Sequence, residues 1–309
     1  MPDLQMYTPS SEHPIFERPA SRDNNIYTLG KVAKHNVVIT ALPDGKHGLS
    51  ETACLGRDMM HTFPNTKTGL SVGVAGGVPG PRKDIRFGDV VVGTEVFQYS
   101  AGAAVQDKSF LYCKEVNQPP TVLQRAINAL KARHRMLGNP IHSSVVRTIE
   151  RYPHMKDEFR QPDLNSDKLF KPNITHQLLC NTMMENLFWR DELASKTDIL
   201  CFDTGAAGLM DQFPCLVIRG ISDYADSHST DEWRRYAAMT AAAYGNDLLS
   251  ILPAIRVEAE IEIVRKAAQL DLPSFIIHYV STQISRKIHG FQTHTRGGTQ
   301  GGAQIGRIL

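Results

Sequence analysis

What this 309-residue sequence lacks narrows it first. It has five cysteines, and no two stand in a CxxC spacing. A sparse, odd set of thiols argues against a disulfide frame and fits a reducing compartment, so a cytoplasmic setting is expected. No run reaches the roughly 18 consecutive apolar residues of a membrane-spanning helix, so no membrane partner is expected. Residues 1–25 carry no apolar core of a secretory signal. Charge of one sign is not in excess, with 34 Lys and Arg against 32 Asp and Glu. A general nucleic-acid binder shows a strong basic excess, so that class drops out. The twelve histidines are scattered without HExxH or another metal spacing, and no metal is expected. No internal repeat is visible at the usual periods.

Apolar residues make up 41% of the chain, enough for a sizeable core. Residues 1–26 are polar and Pro-rich and read as a disordered tail. From Tyr27 short β-branched runs alternate with helical patterns. Strands are predicted at Tyr27–Leu29, Asn36–Leu42, Thr68–Val74, Asp89–Val92, Ile199–Phe202 and Cys215–Ile221. Leu70–Val74 and Val90–Val92 do not alternate, as expected of central strands covered on both faces. Helices are predicted over Ser50–Phe63, Pro119–Met136, Ile174–Ala194 and Ser229–Leu252. The last starts on a Ser229-Thr230-Asp231-Glu232 capping box and carries Trp233, Tyr236, Ala237, Ala241, Tyr244 and Leu248 on one face. Residues 138–172 are polar and weakly periodic, an excursion from the main fold. Residues 254–289 read as an extra helical segment, and 290–309 as a disordered tail. Strands alternating with helices over 27–253 define one α/β domain.

Three segments could carry chemistry. Gly73-Val74-Ala75-Gly76-Gly77-Val78-Pro79-Gly80 follows an apolar strand, where glycines can turn backbone N–H groups toward an anion. Its spacing is neither a dinucleotide fingerprint nor a Walker loop. Close packing explains the same glycines equally well. Asp223 follows the buried strand through Ile221, at the end where open α/β sheets bind ligands. A carboxyl shielded there has a raised pKa and can act as a general acid. A lone Asp at a strand end more often caps a turn. Phe202-Asp203-Thr204-Gly205 precedes the small-residue run Ala206-Ala207-Gly208, which lets a helix approach a sheet closely. Arg82, Lys83 and Arg86 could pair with a phosphate or simply form an exposed charge run.

Taken together, Tyr27–Val38, Val72–Pro79, Asp84–Val92 and Ala206–His228 resemble the purine and uridine phosphorylase superfamily. The likeness is closest to the phosphorylase-like domain of fungal ankyrin-repeat and nucleotide-binding oligomerisation proteins. It implies a three-layer α/β/α fold with a mixed central sheet. It also implies cleavage of an N-glycosidic bond in a nucleoside, a purine one by preference. Inorganic phosphate would be co-substrate at Gly73, Gly76 and Gly77, with no other cofactor, and the subunits would form homo-oligomers. By the same resemblance Asp223, after Ser222, is the acid that protonates the leaving base.

Departures from the family pattern are also plain. The sugar-gripping Glu is replaced by Gly205 and a sugar-packing Met by Thr204, while Phe202 is kept. Asp203 lies two residues from the lost carboxylate. Arg86 stands near a phosphate-binding position. The family's first strand is not visible in residues 1–26. A catalytically weakened nucleoside-binding or sensing module is therefore the alternative. A biosynthetic enzyme that uses the space beside Gly205 for a bulkier ligand is a third reading.

Overall fold

The computed structural model describes residues 23–43, 48–80, 83–98, 116–169, 198–226 and 231–253, with a few short segments outside them. The strands are β1 Gln5–Met6, β2 Thr28–Val32, β3 His35–Ala41, β4 Thr68–Gly77, β5 Val90–Phe97, β6 Gly102–Ala104, β7 Phe110–Tyr112, β8 Val116–Asn117, β9 Ile199–Phe202, β10 Cys215–Asp223, β11 Phe275–Tyr279 and β12 Ala303–Ile308. The helices are α1 Leu49–Thr62, α2 Thr121–Leu137, α3 Ile141–Arg151, α4 Lys156–Phe159, α5 Ala206–Gln212 and α6 Asp231–Ile251. Residues 174–193 of an expected helix, the Ser229 and Thr230 half of the capping box and residues 254–274 of the expected extra helical segment lie outside the described residues.

The sheet is mixed, in the order β1-β2-β3-β11-β4-β10-β5-β12-β9, with β8 on β5. Parallel β4 and β10 form its centre, joined from Gly69–Cys215 to Gly76–Asp223. Both are buried along nearly their whole length, which explains their unalternating apolar sequence. Neighbouring residues of β10 face opposite layers. Gly220 faces α6 so closely that a Cβ there would stand 1.9 Å from the Ala237 carbonyl oxygen. Arg219 faces the other layer and pairs with Asp203, just before α5. That layer is itself tight, since a Cβ on Gly208 would meet the Leu49 carbonyl of α1 at 2.2 Å. The result is a three-layer α/β/α fold with a mixed sheet. Among the described residues, no helix is long and apolar enough to cross a membrane.

Four local expectations are corrected. Residues 1–26 are not simply a tail: Gln5–Met6 pairs with Lys31 and Gly30 of β2, Asp23 accepts from the Tyr27 and Thr62 hydroxyls, and Asn25 donates to the Leu55 carbonyl. The excursion 138–172 is built from α3, α4 and two short turns. Ile141, Val145 and Ile149 at helical spacing bury one face of α3. Phe275–Tyr279 is a strand inside a segment expected to be helical, and Ala303–Ile308 is a strand where a tail was expected. Phe275–Tyr279 is a short aromatic and β-branched run, Ala303–Ile308 holds only Ile305 and Ile308 as strong strand formers, and the partners of both are far away in the chain.

β11 lies parallel to β3 and to β4, from Phe275 beside Val37 and Thr68 to Tyr279 beside Ala41 and Val72. It occupies an interior position of the sheet, where its removal would leave two facing ladders unpaired. Deleting residues 271–309 is expected to lower the melting temperature by about 10 °C or more, or to abolish cooperative unfolding. A circular dichroism melt checks this, and an unchanged transition would contradict the sheet order.

Candidate functional site

The carboxyl end of β10 brings together several of the residues picked from the sequence. A register shift between Ile221 and Asp223 bends the strand end away from the regular ladder with β4. Asp223 is held from two sides: Ser222 Oγ donates to Oδ2 at 2.8 Å and the Ala225 amide donates to Oδ1 at 2.9 Å. Burial raises the Asp223 pKa above the ordinary carboxylate value, against the lowering effect of those two donors and of Arg234. Asp226, also buried, pushes in the same direction as burial. A carboxyl of this kind keeps its proton to higher pH than a solvated one, as a proton donor requires.

The Ala225 amide reaches back to Asp223 because Ala225 adopts a left-handed backbone, φ 51°. A non-glycine residue pays for that conformation, and the surroundings must hold it. Gly76 makes room for it: a Cβ on Gly76 would lie 2.7 Å from the Ala225 Cβ and 2.8 Å from its backbone. Gly77 is packed as tightly, since a Cβ there would lie 2.8 Å from Ile221 Cγ2. The glycines expected in a loop after the strand are therefore inside β4, which runs through Gly77. Gly76 and Gly77 also pair with Phe202 and Cys201 of β9, and Gly73 lies buried beside Arg219. Phe202 packs with Val78, Ile199 and Ala225 around this corner. Gly76→Ala is expected to cost about 1–3 kcal/mol through the forced shift of the Ala225 turn. Urea unfolding measures it, and a cost near zero would show that the turn gives way freely.

The second group of predicted residues is turned inward. Asp203 Oδ2 accepts from Arg219 Nη2 at 3.1 Å and from the Ala206 amide at 2.6 Å, so it pairs a buried guanidinium and starts α5 at once. Its side chain is 7% exposed and that of Arg219 is 1%. Arg219 also donates to the Ser71 carbonyl and hydroxyl. Asp203 is thus committed to the fold. Gly205 leaves no open space: a Cβ there would meet Thr52 Cγ2 at 2.6 Å, and Thr52 Oγ1 donates to the Gly205 carbonyl at 2.8 Å. The expectation of room for a bulkier ligand beside Gly205 is corrected by that contact. Thr204 alone of this turn is exposed.

Arg86 is engaged by Asp84. It forms a two-pronged pair with Asp84, Nε to Oδ1 at 3.0 Å and Nη2 to Oδ2 at 2.8 Å. Lys83 is drawn to β9, with Nζ 3.0 Å from Asp198 and donating to the Ile199 carbonyl. A small apolar cavity lined by Gly56, Met59, Leu209 and Phe213 lies near the opposite strand ends. It is eight residues down β10 from Asp223, about 25 Å away. Among the described residues no group of three or more His, Cys, Asp or Glu side chains is placed to hold a metal ion.

Sequence reasoning missed three participants. Arg219 is a lone charge inside an apolar strand, and that anomaly was a legible signal for a buried partner. Thr52 and Asp167 gave none. The Asp167 carboxylate accepts from the Tyr224 hydroxyl at 2.5 Å and from the Phe87 amide at 3.3 Å.

No family model matches the chain. It is 35% identical over 274 residues to a nucleotide-binding leucine-rich repeat (NLR)-like protein of the fungus Hyaloscypha variabilis, a match covering 78% of this chain and 27% of that protein. The kinship with fungal nucleotide-binding oligomerisation proteins inferred from the sequence is borne out by this relative. The chain spans about a quarter of the relative's length, 27%. Solved structures similar to it include futalosine hydrolase of Helicobacter pylori, at TM-score 0.47 and 16% identity over 74% of this chain and 85% of that one. Another is the 5'-methylthioadenosine/S-adenosylhomocysteine nucleosidase of Neisseria meningitidis, at TM-score 0.47 and 16% identity over 75% and 88% of the two chains.

Proposed function

We propose that the chain binds a nucleoside at the carboxyl end of β10, purine by preference, and that Asp223 donates a proton to the leaving base. The observation that carries this reading is the placement of Asp223. It is fixed by Ser222 and the Ala225 amide, its pKa is raised by burial, and it stands where open α/β sheets take ligands. In the reaction the C–N glycosidic bond breaks, the base nitrogen takes the Asp223 proton, and an oxygen nucleophile forms a new bond to the anomeric carbon. An attacking water would lose its proton to solvent. A phosphate dianion would give the sugar 1-phosphate. A cytoplasmic homo-oligomer with no other cofactor belongs to the same reading.

Release of free base from a nucleoside panel, with and without phosphate, tests it. Phosphate-dependent release assigns phosphate as nucleophile, and phosphate-independent release assigns water. Absence of both turnover and binding would overturn the reading. A second reading, a nucleoside-sensing module without turnover, is favoured by Asp203 and Gly205. The first is spent on Arg219 and α5, and the second is packed on Thr52. Binding by calorimetry with no base released would select it.

A further inference from the structure

The segment after α4 reaches α6 and the loops that bracket Asp223. Two successive residues make the contact. Ser166 Oγ accepts from Trp233 Nε1 at 2.7 Å. Asp167 Oδ1 accepts from the Tyr224 hydroxyl at 2.5 Å and Oδ2 from the Phe87 amide at 3.3 Å. Tyr224 directly follows Asp223, and Phe87 lies in the turn that leads into β5. Their rings stack with centroids 4.4 Å apart, and Trp233 backs Phe87 at 5.3 Å.

We infer that Asp167 is a positioning residue for Asp223: its carboxylate ties the loop before β5 to the loop after β10 and so fixes the turn that carries the acid. This rests on the role of Asp223 proposed above. The turn needs such a tie because Ala225 is held in a left-handed backbone, a conformation that persists only when its surroundings over-determine it. The Ala225 amide is in turn one of the two donors that aim Asp223. Gly76 closes that turn from the β4 side and Tyr224, through Asp167, from the other. Burial raises the Asp167 pKa, while the Tyr224 hydroxyl, the Phe87 amide and the Arg86 charge oppose that rise. The carboxyl oxygens accept both donors in any case, so the bridge is geometric.

The test compares Asp167→Ala, Tyr224→Phe, the double variant and Asp167→Asn in the full chain, below the onset of unfolding. The readout is kcat and KM on whichever nucleoside the wild type cleaves, or Kd if it binds without turnover. Asp167→Ala is expected to lower kcat about tenfold with KM changed less than twofold, because it disturbs the acid rather than the binding surface. Tyr224→Phe should match it. The double variant should be no worse than Asp167→Ala alone, since that change already removes the Tyr224 bond together with the one from the Phe87 amide. Asp167→Asn keeps an oxygen for the Tyr224 hydroxyl and should recover at least half of the lost rate. In a protein that binds without turnover, Asp223 would hold the base by a hydrogen bond in the ground state, and the pattern is then expected in Kd. Wild-type function with Asp167→Ala unchanged, or losses that add, would overturn this inference alone. No turnover and no binding by the wild type would overturn it together with the reading of Asp223.

Discussion

Asp223→Asn is expected to lower base release about a hundredfold or more, the usual contribution of a positioned general acid. The amide matches the carboxyl in shape and still accepts from Ser222 or Ala225, so binding should change far less than kcat. The pH profile gives a sharper expectation. Asp223 donates only when protonated, and burial holds its pKa above the ordinary carboxylate value. The wild-type rate should therefore fall as pH rises through that raised value, and this limb should be missing from the variant. Stability follows the same linkage. A folded value above the unfolded one means that the protonated carboxyl contributes fully below the unfolded pKa, and that this contribution is lost as pH rises through the folded pKa. Asp223→Asn should accordingly be more stable than the wild type at neutral pH. A profile identical in the two proteins would remove Asp223 from the chemistry.

The second large effect concerns the ion pair behind the site. Arg219→Met leaves Asp203 nearly buried without its guanidinium and removes two donors from Ser71. Removing one partner of a buried pair costs about 3–5 kcal/mol, mostly from the charge left behind. Asp203→Ala should cost a similar amount and also strip the Ala206 amide of its acceptor. The double variant removes both charges, so it should recover at least about 1 kcal/mol relative to the sum of the singles. Urea unfolding of the four proteins decides it. Strict additivity would mean that the two side chains do not depend on each other.

Most of the framework was legible because its signals are local. Cys215–Ile221 reads as a buried strand from seven adjacent residues, and β10 forms there. Trp233, Tyr236, Ala237 and Ala241 repeat at three and four, and α6 buries them. The misread parts depend on partners far away in sequence. Gly76 and Gly77 look like a phosphate loop until Ala225 and Ile221, more than 140 residues on, are seen to fill the space beside them. Gly205 looks like an emptied pocket until Thr52 of α1 is found against it. Asp203 looks like a spare carboxylate until Arg219 of β10 is found paired with it. Residues 138–172 look like an excursion because the groups they satisfy, Tyr224, Trp233 and Phe87, belong to other elements. Asp223 was found correctly at a strand end, since chain direction alone places it there.

The most direct test is a crystal structure with a purine nucleoside analogue that resists cleavage. The account predicts the base edge within hydrogen-bond distance of an Asp223 carboxyl oxygen, with the turn from Tyr224 to Asp226 unmoved. An analogue bound away from β10, or one bound there with Asp223 still turned wholly to Ser222 and Ala225, would contradict it.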